Sequence, residues 1–103
     1  MKHIQPKDFT SDRAWAALDI ATIDNATVRL HWTDKPYQWH TNDGDEVFVV
    51  LDGVVEMYYK DNNYEKIAHL KMGDIFYANA GCEHVAHPIG EARILVIERK
   101  GSV

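Results

Sequence analysis

The stretch Trp39-His40-Thr41-Asn42-Asp43-Gly44-Asp45-Glu46 sets an imidazole, an amide and a carboxylate close together, just ahead of the apolar run Val47-Phe48-Val49-Val50-Leu51. Side chains on a strand alternate faces, so His40 and Asn42 project to the same side. A turn or bulge at Asp43-Gly44-Asp45 lets Glu46 return to that side. The same alternation then carries Phe48 and Val50 inward with Glu46, which places a carboxylate in an apolar interior. Such a group needs a cation or a strong donor, because burying it unpaired costs several kcal/mol or forces it to be neutral. A divalent metal meets that need. A metal held there would act as a Lewis acid on a small anionic or hydroxylated molecule, with Glu46 as ligand and proton acceptor.

A second segment, Gly73-Asp74-Ile75-Phe76-Tyr77-Ala78-Asn79-Ala80-Gly81-Cys82-Glu83-His84, runs from a turn through a short strand and another turn into a further histidine. Together the two segments resemble the paired motifs of the cupin superfamily. His40, Asn42, Glu46 and Gly53 fall at the offsets of the first motif, G-x5-H-x-H-x3,4-E-x6-G. Gly73, Gly81 and His84 fall at those of the second, G-x5-P-x-G-x2-H-x3-N. The chain is most similar to short single-domain cupins labelled by likeness to mannose-6-phosphate isomerases. That resemblance implies an all-β double-stranded β-helix, or jelly roll, and a metal site of His40, Asn42, Glu46 and His84.

The departures bear on chemistry unevenly. Asp34, Asn79 and Pro88 replace the motifs' leading Gly, Pro and final Asn, which concerns turns. Asn42 stands where metal-binding cupins usually carry His, and an amide oxygen is a poorer ligand for transition metals than an imidazole nitrogen. His40, Glu46 and His84 without it still approximate a two-His-one-carboxylate triad, open to Fe, Mn, Ni, Zn or Cu. The resemblance spans dioxygenases, sugar isomerases, decarboxylases and plain binding proteins, so fold alone does not choose among them. Two readings stand: a metal-dependent enzyme such as a dioxygenase or sugar isomerase, and a non-catalytic ligand-binding or sensor cupin with a degenerate site.

The elements that must position these groups are short strands. With 103 residues, 46% hydrophobic, the chain reads as one domain, residues 1–103. Apolar and polar residues alternate from about Trp15, and Gly, Asn and Asp clusters punctuate them. Strands are expected at Ala16 to Ile23, Ala26 to Thr33, Gln38 to Thr41, Glu46 to Leu51, Val54 to Tyr59, Glu65 to Leu70, Ile75 to Tyr77, His84 to Ala86 and Arg93 to Glu98. Asp52-Gly53 reads as a tight hairpin turn and Lys60-Asp61-Asn62-Asn63 as a longer one. Pro6 to Arg13 reads as a short N-terminal helical segment.

A net charge of -5 with no basic stripe argues against nucleic acid as a partner. No apolar run suits a membrane span or a signal peptide, so the expected compartment is the cytoplasm. The single cysteine, Cys82, excludes an intrachain disulfide and a multi-cysteine zinc site. Gln38 and Tyr77 are polar candidates for the barrel mouth, Phe48 for the pocket wall, and Cys82 for a pocket thiol or an inert buried one. His87 falls on the face opposite His84, and His31 shares an ordinary polar strand face with Arg29 and Thr33. Trp15 and Trp32 read as core or dimer contacts. Exposed edge strands in a small barrel, and the habit of the cupins it resembles, point to a homodimer.

Overall fold

The computed structural model describes residues 1–101 and is nearly all β. A single 3-10 turn, Pro6–Asp8, precedes the sheet, with proline at its first position, where the missing N–H costs nothing. Seven strands follow: β1 (Ala16–Ile23), β2 (Ala26–Thr33), β3 (His40–Thr41), β4 (Glu46–Asp61), β5 (Tyr64–Leu70), β6 (Ile75–Ala78) and β7 (Glu83–Arg99). All pairings are antiparallel, in the order β1-β2-β7-β4-β5, with β3 on β7 and β6 on β4. Among the described residues no helix is long and apolar enough to cross a membrane.

The spine is a ribbon of two long strands, β4 and β7, paired from Glu46↔Glu98 at one end to Tyr59↔His84 at the other. The expected strands on either side of Asp52-Gly53 are therefore one strand. The same is true of His84 to Ala86 and Arg93 to Glu98. Asp52-Gly53 does not reverse the chain; the register slips there, between Val50 and Asp52 and again between Asp52 and Val54. This is bulge geometry, which bends a strand and raises its twist. Gly53 adopts φ 85°, and a Cβ there would meet the carbonyl oxygen of Glu91 and the Cα of Ala92. Glycine is needed because β7 passes this close to β4 at the bulge.

The turn after β4 is also tighter than the residue types suggested. Asp61 pairs directly with Tyr64, and both intervening residues, Asn62 and Asn63, have positive φ, the two-residue geometry that asparagine tolerates.

The fold-over encloses the inward side chains. Phe48 and Val50 from the first half of β4, Val55 and Met57 from the second, and Ala86 and Ile94 from β7 form the core cluster. Each large member contributes about 1.5–3 kcal/mol by burial. Arg93 secures the bend from outside. It is buried, its Nη1 donates to Asp52 Oδ2 at 2.8 Å, its Nε to the Phe9 carbonyl at 2.9 Å, and its Nη2 to Thr10 Oγ1 at 2.7 Å. The N-terminal segment is thereby tied to the fold.

Candidate metal centre

His40 and His84 are register partners across β3 and β7, which puts both imidazoles on one face with ring centroids 4.4 Å apart. Glu46 reaches them from the start of β4. One ligand atom from each of His40, Glu46 and His84 lies within 4.8 Å of the others. Glu46 and His84 are 6% and 2% exposed, so this is an interior cluster.

The backbone decides which nitrogen of each histidine faces inward. His84 Nδ1 lies 2.9 Å from the Cys82 carbonyl oxygen, and His40 Nδ1 lies 2.9 Å from that of Gln38. A carbonyl can only accept, so both Nδ1 atoms carry the proton. The Nε2 atoms are left with their lone pairs on the cavity side, as backbone-anchored metal-ligating histidines present them. His84 Nε2 sits 2.8 Å from Glu46 Oε1. Two lone pairs cannot meet at that distance without a positive charge between them. A proton supplies it in the metal-free site. Burial pulls the His84 pKa down, but the hydrogen bonds to Glu46 and to the Cys82 carbonyl outweigh it and raise the value overall. The donors that share this proton are equally suited to a divalent cation.

Asn42 lines the same cavity. Its Nδ2 donates to Glu98 Oε2 at a long 3.5 Å, and its buried Oδ1 has no hydrogen-bond partner. An orphaned buried acceptor costs about 1–3 kcal/mol, a cost that a cation would relieve. The donor set therefore fits a transition metal: two imidazoles and one carboxylate, with an amide oxygen to hand.

The enclosing cavity has a volume of about 280 Å³. Phe48, Met57 and Val96 form its apolar wall; Arg29, His31 and Glu98 form a polar one. Burial lowers the His31 pKa and keeps the ring neutral, with Nδ1 donating to the Trp15 carbonyl at 3.3 Å. Glu98 pairs in register with Glu46. Burial first, and the Glu46 charge second, push its pKa up to about 7 against the opposing pull of Arg29.

Trp15 and Tyr37 also line the cavity, their rings 5.3 Å apart and edge to face. Trp15 holds φ 60°, a left-handed conformation that costs a bulky residue about 1–3 kcal/mol. A bond from its Nε1 to the Lys35 carbonyl, 3.0 Å, holds the ring in place.

Three of the residues expected at the pocket do not line this cavity. Gln38 is exposed and serves through its carbonyl, which orients His40. Tyr77 pairs with Val47, one position off Glu46, and so takes the opposite face; it is 58% exposed, and a hydrogen bond to Asp45 raises its pKa. Cys82 lies with Tyr77 along a separate shallow groove; burial raises its thiol pKa, and its contribution is again the carbonyl that orients His84. Phe48 does line the cavity. His87 points away from it, against the ring of Tyr58 at 4.6 Å.

Arg29, His31, Glu98, Trp15 and Tyr37 were missed as cavity residues. Parity was the available signal for Glu98, which keeps the phase of the buried Ile94 and Val96; Arg29 and His31 alternate with the buried Leu30 and Trp32, so for them parity pointed to the outer face.

The family model for the cupin domain matches residues 26–98, and the chain belongs to that family. Among solved structures it is similar to a cupin-2 domain containing protein from Shewanella frigidimarina, with 25% identity and a TM-score of 0.77 over 87% of this chain and 85% of that one. The TT1209 protein of Thermus thermophilus has the same fold at 20% identity, with a TM-score of 0.79 over 97% and 98%. An oxalate oxidase shares the barrel at 16% identity and TM-score 0.67, over 77% of this chain and 45% of that one. No curated protein matches the chain.

Proposed function

We propose that this cupin is a metal-dependent enzyme that holds one divalent transition metal on His40, Glu46 and His84, with Asn42 as a weak fourth donor. The observation that carries the reading is the pair of Nδ1-anchored histidines turning their Nε2 lone pairs toward a buried carboxylate. The metal would supply Lewis acidity and open positions for water, oxygen or a small polar substrate, in the manner of a dioxygenase or sugar isomerase. The protein's own contribution is to exclude water with Phe48, Met57 and Val96, and to hold a proton between His84 and Glu46 until the metal replaces it. Fe, Mn, Ni, Zn and Cu all suit the donors.

Asn42 favours a second reading, a binding or sensor cupin without catalysis, because the amide weakens the site where an imidazole would strengthen it. Elemental analysis of protein purified without added metal or chelator, repeated on His84→Ala, is the first test. About one equivalent of metal per chain, lost in the variant, supports the metal site. A folded wild type that stays empty after dialysis against Fe, Mn, Ni and Zn removes it and leaves a ligand-binding barrel.

A homodimer is part of the proposal. Strand β6 pairs only with β4 among the described residues, and its outward residues Ile75 and Tyr77 are 66% and 58% exposed. Apolar side chains on an edge strand are what a second copy would cover. Sedimentation of wild type and Ile75→Glu tests it: a dimer that dissociates in the variant supports this edge, and a monomeric wild type overturns the dimer.

A further inference from the structure

We propose that the cavity takes a small monocarboxylate, with Arg29 as the residue that recognises its carboxylate group. This names the substrate class for the site proposed above and rests on that reading. Arg29 is the one Lys or Arg lining the cavity among the described residues. It projects from β2 on the same face as His31 and shares the polar wall with Glu98. Its charge acts on both neighbours, lowering the pKa of each.

The residue is available for a ligand. Asp19 is its cross-strand partner and its one ion-pair partner among the described residues, with Nε 2.9 Å from Oδ1. The Asp19 side chain is 79% exposed and that of Arg29 44%, so water competes for this pair and it contributes little stability. A guanidinium presents five donors in a fixed fork suited to a carboxylate, and Asp19 engages the Nε edge.

Charge complementarity selects the ligand's sign. A divalent metal on Glu46 and two neutral imidazoles leaves a positive excess. Arg29 adds one unit and ionised Glu98 removes one, so the groups lining the cavity leave a single positive charge. A monoanion completes that balance, and a dianion would exceed it. Size sets the rest. About 280 Å³ is the share of roughly nine water molecules, enough for a carboxylate with a short hydrocarbon or hydroxylated tail against Phe48, Met57 and Val96.

The test uses the full chain, labelled with nitrogen-15, in metal-free and Zn2+-loaded forms. Acetate, propionate and glycolate are titrated against acetamide, propionamide and glycolamide, following the Arg29 Nε–H and Trp15 Nε1–H signals. Zinc uptake is measured separately by equilibrium dialysis. The expected result is saturable shifts with the carboxylates and none with the amides. Arg29→Met should weaken carboxylate binding about tenfold to a hundredfold with zinc uptake unchanged, and Asp19→Asn should leave binding intact.

Equal carboxylate affinity in Arg29→Met and wild type overturns the assignment, as does a zinc-loaded wild type that answers to no carboxylate. Should Arg29→Met fail to fold, Arg29→Lys keeps the charge and loses the fork, and its weakened binding carries the same meaning. A wild type that takes up no zinc but still shifts with carboxylates removes the metal reading and keeps the anion site.

Discussion

Glu46 and His84 stand at opposite ends of the β4–β7 ribbon, yet Glu46 Oε1 and His84 Nε2 are 2.8 Å apart. His84 pairs with Tyr59 at the far end of β4, so a flat ribbon would hold the two groups about 40 Å from each other. The bend at Asp52-Gly53 brings them together. The His40, Glu46 and His84 cluster is thus a consequence of the fold-over, and residues at the bend govern it without touching it.

Gly53→Ala should therefore destabilise the protein by about 2–4 kcal/mol, through a left-handed backbone and a collision with the Glu91 carbonyl that cannot give way. Gly90 is the control: it also has positive φ, but a Cβ there meets nothing within 4 Å, so Gly90→Ala should cost only about 1–2 kcal/mol of backbone strain. Urea denaturation of the two metal-free variants checks this. Equal losses would mean that close packing at the bend is not what Gly53 provides.

Glu98 makes the metal-free protein sensitive to pH. Its folded pKa of about 7 lies above its unfolded value, so the folded state binds the proton more tightly. The stability this confers is present below the ordinary value of about 4.5 and is lost as pH rises through about 7. His84, also raised, loses its contribution in the same direction above about 6.5. Stability of the metal-free chain should fall between about pH 5 and 8, by at most about 3.5 kcal/mol from Glu98. Glu98→Gln should flatten the lower part of that window. Thermal denaturation across the range, with chelator present, measures it; a flat wild-type profile would contradict the burial of Glu98 beside Glu46 as the source.

Much of this was readable from residue order, and what escaped has physical causes. The convergence of His40, Glu46 and His84 was legible because strand alternation and motif spacing both fix where such side chains stand. The Asp52-Gly53 bend was misread as a hairpin because glycine at positive φ serves a tight turn and a bulge equally well, and only the register of β7 distinguishes them. Arg29 and His31 were assigned to an ordinary polar face because polar residues usually face water. In a barrel around a polar cavity, a polar face can be the inner one. Gln38 and Cys82 act through carbonyls, which no side-chain pattern reveals.

Asn42→His should tighten metal binding by at least about tenfold, because it replaces an amide oxygen by an imidazole nitrogen at a buried position lining the cavity. It also removes the orphaned Oδ1. Competition against a chromogenic chelator measures the change, and the spectrum of the Co2+-loaded protein reports whether a nitrogen has joined the coordination shell. Unchanged affinity with an unchanged spectrum would place position 42 outside the donor set.

Arg93→Met should cost about 2–4 kcal/mol, since it leaves Asp52 without its partner at the bend and frees the Phe9 carbonyl and Thr10 hydroxyl. Removing the facing charge as well, in Arg93→Met with Asp52→Asn, should recover part of the loss, because most of the cost of breaking such a pair lies in the charge left behind. Arg93 also ties down the N-terminal segment, so the single variant should speed hydrogen exchange and proteolysis across residues 1–14 before the barrel itself unfolds. If cleavage there is unchanged while global stability falls, Arg93 clamps the bend alone. If both respond together, the N-terminal segment and the fold-over that assembles the candidate metal site form one cooperative unit.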